Sequence, residues 1–189
     1  IEKGIEVLNE ASAVIGHNII GYDNPVLSKL YEDFSPRKSI DTLVFSRLVY
    51  SDLMEFDAKL RKQKNMPSNL MGRYSLEAFG WRLGELKDDF GKDTDWQEWT
   101  PEMSDYCEQD VKVNVELYRR LLQKEYSSEV LEMEHDVFKI IDRQIKNGFW
   151  FDIDKAEELY SELTSRKVEL EEELQETFPP VVRIKSDVK

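Results

Sequence analysis

Cysteine is nearly absent: the 189 residues contain one, Cys107. An internal disulfide is therefore excluded, and a reducing compartment is expected, because secreted domains of this size usually carry paired cysteines. The cytoplasm is the default location. Long apolar runs are also missing. None approaches the roughly 18 to 20 residues of a membrane span, and no basic, apolar and small-residue succession marks a signal peptide. A membrane is thus not an expected partner. Positive charge is in deficit, with 26 Lys and Arg against 39 Asp and Glu and a net charge of −13. This argues against a wide footprint on duplex DNA, where Lys and Arg must neutralise phosphates and release counterions. An initiating methionine is lacking as well. The chain opens at Ile1 on the amphipathic stretch IEKGIEVLNEA, and it is expected to be a piece of a longer chain.

What is present describes a soluble globular composition: 40% hydrophobic, 34% charged and 11% aromatic residues. The length suits one main domain with an appendage, at about 100 to 200 residues per domain. Ile1, Ile5 and Leu8 share the spacing of one helix face over residues 1–11, and residues 13–16 form a short apolar run suited to a buried strand. Asn24 before Pro25 reads as an N-cap, with a helix running to Ser35 and Pro36. Asp23 then falls in the loop between strand end and helix start, where open α/β sheets place ligands. Residues 39–50 begin as a second short strand and turn helical. Residues 51–74, with Lys59, Arg61, Lys62, Lys64 and Arg73, read as a solvated loop with a basic tilt; a strand-guiding patch is the competing reading.

Further along, SLEAFGWRLG predicts a helix with Leu76, Phe79 and Leu83 inward and Gly84 ending it. Trp96 and Trp99 are expected to pack a loop against the core rather than stack on bases. Thr100 and Pro101 open a helix that carries Met103, Tyr106 and Asp110 to about Lys124. Residues 130–146 form another, with Leu131, His135, Phe138, Ile141 and Ile145 on one stripe, ended by Asn147 and Gly148. After an extended link at 149–153, Asp154 and Glu157 read as a capping box for a long charged helix with Leu159, Leu163, Leu170 and Leu174 at near-heptad spacing. Pro179 and Pro180 end it before the tail RIKSDVK.

Phosphodiester hydrolysis needs a nucleophile made from water and charge stabilisation at the phosphorus oxygens, which two cations about 4 Å apart can supply. Hard cations want oxygen ligands, so such sites use Asp and Glu. Bound cations also reconcile an acidic chain with an anionic substrate. Tyr106 and Asp110, at i and i+4, share a helix face and can point into one cleft. Asp110 then serves as metal ligand, Asp23 as ligand or water-mediated partner of a second metal, and Tyr106 as positioner of the attacking water. By spacing alone, a buried Tyr beside an exposed Asp, and a turn residue at Asp23, remain open alternatives.

His17-Asn18 followed by Tyr22-Asp23 and Pro25 resembles the second motif of the 3′-5′ exonuclease domain in family A DNA polymerases, and Tyr106 and Asp110 resemble its third motif, Tyr-x-x-x-Asp. IDTLVFSRL at 40–48 and SLEAFGWRLGELKDDF at 75–90 are similar to the corresponding segments of phage polymerases in that family. RQIKNGFWFDIDKAEELYSEL resembles the joint into the polymerase domain. The resemblance covers nearly the whole chain, in order. It implies an α/β fold, an RNase H-like mixed sheet flanked by helices and lacking its N-terminal strands, over residues 1–126. Residues 127–189 would be a helical connector and the start of a polymerase domain. It further implies two Mg²⁺ or Mn²⁺ ions, removal of mispaired nucleotides from a primer 3′ end, and membership of the tyrosine subgroup of the four-carboxylate exonucleases. Asp23 and Asp110 would be metal ligands, with Tyr106 completing the catalytic set. His17, Asn18, Tyr22 and Tyr106 would meet the nucleic acid. The implied partners are a single-stranded DNA 3′ end or primer–template and the polymerase domain of the same parent chain, in the host cytoplasm if phage-encoded.

One departure stands out. The family's first motif, Asp-x-Glu, has no counterpart in residues 1–11, so two of four carboxylates remain and the isolated chain is expected to have negligible activity. His17 and Asn18 have a competing role in hydrogen bonding the loop. His135 reads as structural, Cys107 as a bystander about 100° around the helix from Tyr106, and Asp41 as a loop organiser rather than a further ligand. Arg183 and Lys185 read as a frayed end more readily than a DNA contact. Two rival functions are a tyrosine-type RNA exonuclease and a non-catalytic scaffold or single-strand-binding module.

Overall fold

The computed structural model describes residues 1–64, 66–85 and 98–179. Trp96, Arg183 and Lys185 lie outside the described residues. The chain divides into two compact units, Ile1–Lys146 and Asn147–Lys189.

In the first unit, α1 (Glu2–Glu10) precedes β1 (Val14–Gly16), and α2 (Asp23–Leu30) leads to β2 (Ser39–Asp41). The strands pair in parallel with Gly16 opposite Asp41, and α2 lies in the connection between them, as a parallel pair requires. This pair is what the described residues contain of the expected mixed sheet. β2 runs directly into α3 (Thr42–Val49), the strand-to-helix switch expected for residues 39–50.

Residues 53–64 correct the expected loop: they form α4 (Leu53–Lys64). Asp52 accepts a hydrogen bond from the Glu55 backbone at 3.3 Å, and Leu53 and Leu60 are buried on the same side as Asp57. Lys59, Arg61 and Lys62 occupy the wet face of that helix and dilute its apolar period. A 3₁₀ turn at Ser68–Leu70 follows, then α5 (Leu76–Leu83). Ser75 caps α5 and Gly84 ends it at φ 83°, a left-handed conformation that costs glycine nothing.

The helix carrying the Tyr-x-x-x-Asp pattern, α6 (Pro101–Leu122), is capped by Thr100 and has proline in its first turn. It packs against α3 and α5. Phe45, Leu53, Phe79, Leu117 and Leu121 form the core between them. Trp99 corrects a second expectation, being 73% exposed rather than packed on that core. In α7 (Ser128–Asn147), His135 is buried, whereas Ile141 and Ile145 of the expected stripe are exposed.

In the second unit, α8 (Ile153–Thr177) is capped by Asp152, whose side chain accepts from the Lys155 backbone. Asp154, read as the cap, lies inside the first turn. Leu159, Leu163, Leu170 and Leu174 are exposed. Among the described residues, no helix is long and apolar enough to cross a membrane.

Candidate functional site

The turn after β1 is built for close approach. A Cβ at Gly16 would sit 2.7 Å from the Ile19 Cβ, so glycine lets the chain fold back at once. Asn18 takes φ 63°, a left-handed conformation that Asn tolerates better than most residues. Its carbonyl accepts from the Gly21 and Tyr22 amides, and the Ile19 carbonyl accepts from Asn24. The resulting knot delivers Asp23 to the head of α2.

Asp41 holds this knot from across the sheet. Fully buried, its carboxylate accepts from the Asn18 amide at 2.9 Å, the Ile20 amide at 3.1 Å and the Leu43 amide at 2.9 Å. Three N–H donors satisfy a buried charge that would otherwise be costly. Asp41 is the loop organiser that its place in IDTL suggests.

Asp23 corrects the expected placement in a loop. It is the first residue of α2, with Tyr22 in the capping position. Asn24, read as the cap, instead donates from its side chain to the Ser39 hydroxyl at 2.9 Å. Asp23 keeps an open solvent face. Partial loss of hydration still pushes its carboxyl above the ordinary 3.8; its own backbone N–H opposes that, and the charge of Asp41 adds to it.

His17 ties the loop to the helical layer. Its Nε2–H donates to the Tyr74 carbonyl at 2.8 Å, and its Nδ1 lies 3.0 Å from the Thr42 hydroxyl. The Phe79 ring stands edge-on to the imidazole at 6.2 Å. Tyr22 is exposed.

Tyr106 and Asp110 are half-buried on one side of α6. One turn further on, Asn114 fixes that face in place. Its Oδ1 accepts from the Thr42 hydroxyl at 2.7 Å, and its Nδ2 donates to the Ile15 carbonyl at 3.4 Å. Asp110 therefore lies one turn from a residue docked on Ile15 of β1 and on Thr42 at the start of α3. Asn114 escaped the sequence reading, although a polar residue between the buried Val113 and Leu117 was a usable signal. Cys107 is exposed.

The donor set falls short of a metal centre. No group of three His, Cys, Asp or Glu side chains that could hold an ion occurs among the described residues. The sequence contains no Asp-x-Glu pair. A hard cation takes about six oxygens, so Asp23 and Asp110 would fill only part of its coordination and bind it weakly.

A parallel strand pair joined by a helical crossover, with further helices beside it, defines an α/β domain. Comparison with known proteins relates the chain to the phage DNA polymerases. It is 34% identical to the DNA-directed DNA polymerase of Escherichia phage T7 over 206 aligned residues, and equally so to that of Enterobacteria phage T3. Each alignment covers 87% of this chain and 29% of the relative, so the chain spans under a third of the length of the curated relatives it matches. No family model matches.

Proposed function

We propose that this chain is the 3′-5′ exonuclease part of a phage-type DNA polymerase, hydrolysing the terminal phosphodiester of single-stranded or mispaired DNA 3′ ends, on an RNase H-like fold. The observation that supports it best is the docking of Asn114 on Ile15 of β1 and on Thr42 at the start of α3. Asp110 and Tyr106 thereby stand on a helix face anchored where the Asp23-bearing turn begins. In this reading Tyr106 orients the attacking water through its phenol, Asp110 and Asp23 supply oxygen ligands, and Tyr22 offers an exposed ring to the DNA. Mg²⁺ or Mn²⁺ would supply the Lewis acidity when bound, and its remaining ligands come from outside the described set.

The test is release of 3′-terminal nucleotides in a polymerase carrying this segment. Asp110→Ala and Asp23→Ala are each expected to slow release by about two to three orders of magnitude, the scale of losing one preorganised charge-stabilising group, while DNA synthesis persists. Release that survives both substitutions contradicts the proposal. The segment alone is expected to release almost nothing, and preferential degradation of RNA would favour a tyrosine-type RNA exonuclease. The absence of a three-ligand cluster among the described residues favours a second reading, a non-catalytic module that binds single strands. DNA binding indifferent to divalent metal would support it.

A further inference from the structure

His135 lies on α7, 112 residues beyond Asp23 in sequence, and outside every role assigned above. We infer that His135 is a positioning residue for the turn that delivers Asp23, acting through the backbone and carboxylate of Asp41.

The imidazole is held in one state by its two partners. Nδ1 lies 2.7 Å from the Leu131 carbonyl, which only accepts, so Nδ1 carries the proton. Nε2 is then a lone pair, and it accepts from the Asp41 backbone N–H at 2.8 Å. That bond pins the last residue of β2, directly opposite Gly16 in the sheet. From the same residue, the carboxylate grips the Asn18 and Ile20 amides. Asn18 sits in its left-handed conformation between those grips, and Asp23 follows three residues after Ile20. The hydrogen-bonded path from His135 to the turn thus runs through Asp41, with His135, Asp41 and Ile20 all buried.

The other tie described between α7 and this region is weaker. Lys38 and Glu132 pair at 2.7 Å, but both side chains are more than half exposed, and exposed ion pairs contribute little. An apolar side chain at 135 would strand the Asp41 N–H in the interior, where an unmet donor is costly. The turn would then lose its fixed end while the distant Asp57–Arg82 pair on α4 and α5 stays intact.

The inference rests on the exonuclease reading only for its catalytic consequence. Its structural part is tested by amide hydrogen exchange on this chain. His135→Leu is expected to speed exchange at Asn18, Ile20 and Asp41 by about tenfold or more, as local opening does. The Gly72 amide, which donates to Asp57 at 2.8 Å, should stay unchanged. His135→Gln, whose amide oxygen reaches the Nε2 position, should keep parental exchange, and His135→Asn, one carbon shorter, should not. Should His135→Leu unfold, the Gln and Asn pair decides. Parental exchange in His135→Asn, or equal loss in Gln and Asn, overturns the inference. In a polymerase carrying the segment, His135→Asn should lower kcat for 3′ release with KM unchanged, and His135→Gln should restore it. An unaltered kcat in His135→Asn overturns the catalytic consequence. If the parent releases nothing, the exonuclease reading falls while exchange still decides the role of His135.

Discussion

Asp23 and Asp41 show how two carboxylates, one at each end of the same connection, are treated differently by the fold. Asp41 is buried and satisfied by three backbone amides. Asp23 is exposed on one side, and the combined effect of lost hydration and the nearby Asp41 raises its pKa. An acid whose folded pKa lies above its unfolded value holds its proton more tightly when folded. It therefore favours the fold below the ordinary value and withdraws that contribution as pH rises through the raised one. At neutral pH ionised Asp23 is a local liability, a common property of functional carboxylates. Asp23→Asn is expected to stabilise the chain at pH 7, with the gain gone below about pH 4. Urea midpoints across that window check it, and a loss of stability at pH 7 would contradict the assignment. The sequence identified both residues, because IDTL and YDNP mark turns. It did not reveal that Asn24 would bond Ser39 instead of capping α2, since that partner is fixed only by strand pairing.

At the scale of elements, the longest periods were the most legible. α5 starts and stops where Ser75 and Gly84 indicate, and α6 starts where Thr100 and Pro101 do. α4 was missed because five basic residues in 51–74 drew attention from a short apolar face. Asp52 and Glu55 at capping-box spacing, and Leu53, Asp57 and Leu60 on one side, were the signals to weigh. The deciding partner lies on another helix. Arg82 reaches Asp57 through Nε at 2.9 Å and Nη2 at 2.7 Å, with both side chains almost fully buried, and the guanidinium rests 4.7 Å from the centre of the Phe79 ring. A pair 25 residues apart has no local signature. Removing one member leaves an uncompensated buried charge, so Asp57→Ala is expected to cost about 3 to 5 kcal/mol. The double change Asp57→Leu with Arg82→Met should recover much of it. Chemical denaturation measures both, and a cost below about 1 kcal/mol for Asp57→Ala would show the pair to be dispensable. Asp152 displacing Asp154 as the cap of α8 has a similar origin: both are acidic, two residues apart, and backbone geometry decides between them.

For the whole molecule, the order of elements other than α4 follows from the sequence pattern, and the relationship to phage DNA polymerases agrees with the resemblance read there. Among the described residues the sheet holds the two short strands expected at 13–16 and at the start of 39–50. Under the proposed exonuclease reading, an acidic chain would meet DNA through bound metal, which requires Asp23 and Asp110 to serve one site. Paramagnetic Mn²⁺ titrated into the labelled chain tests that claim most directly, since a bound ion broadens nearby amide signals even at weak affinity. Residues 22–24 and 106–111 should broaden together, and Asp110→Ala should relieve both segments at once. Broadening of one segment alone, of neither, or persisting at residues 22–24 in Asp110→Ala would show that the two carboxylates do not serve one site.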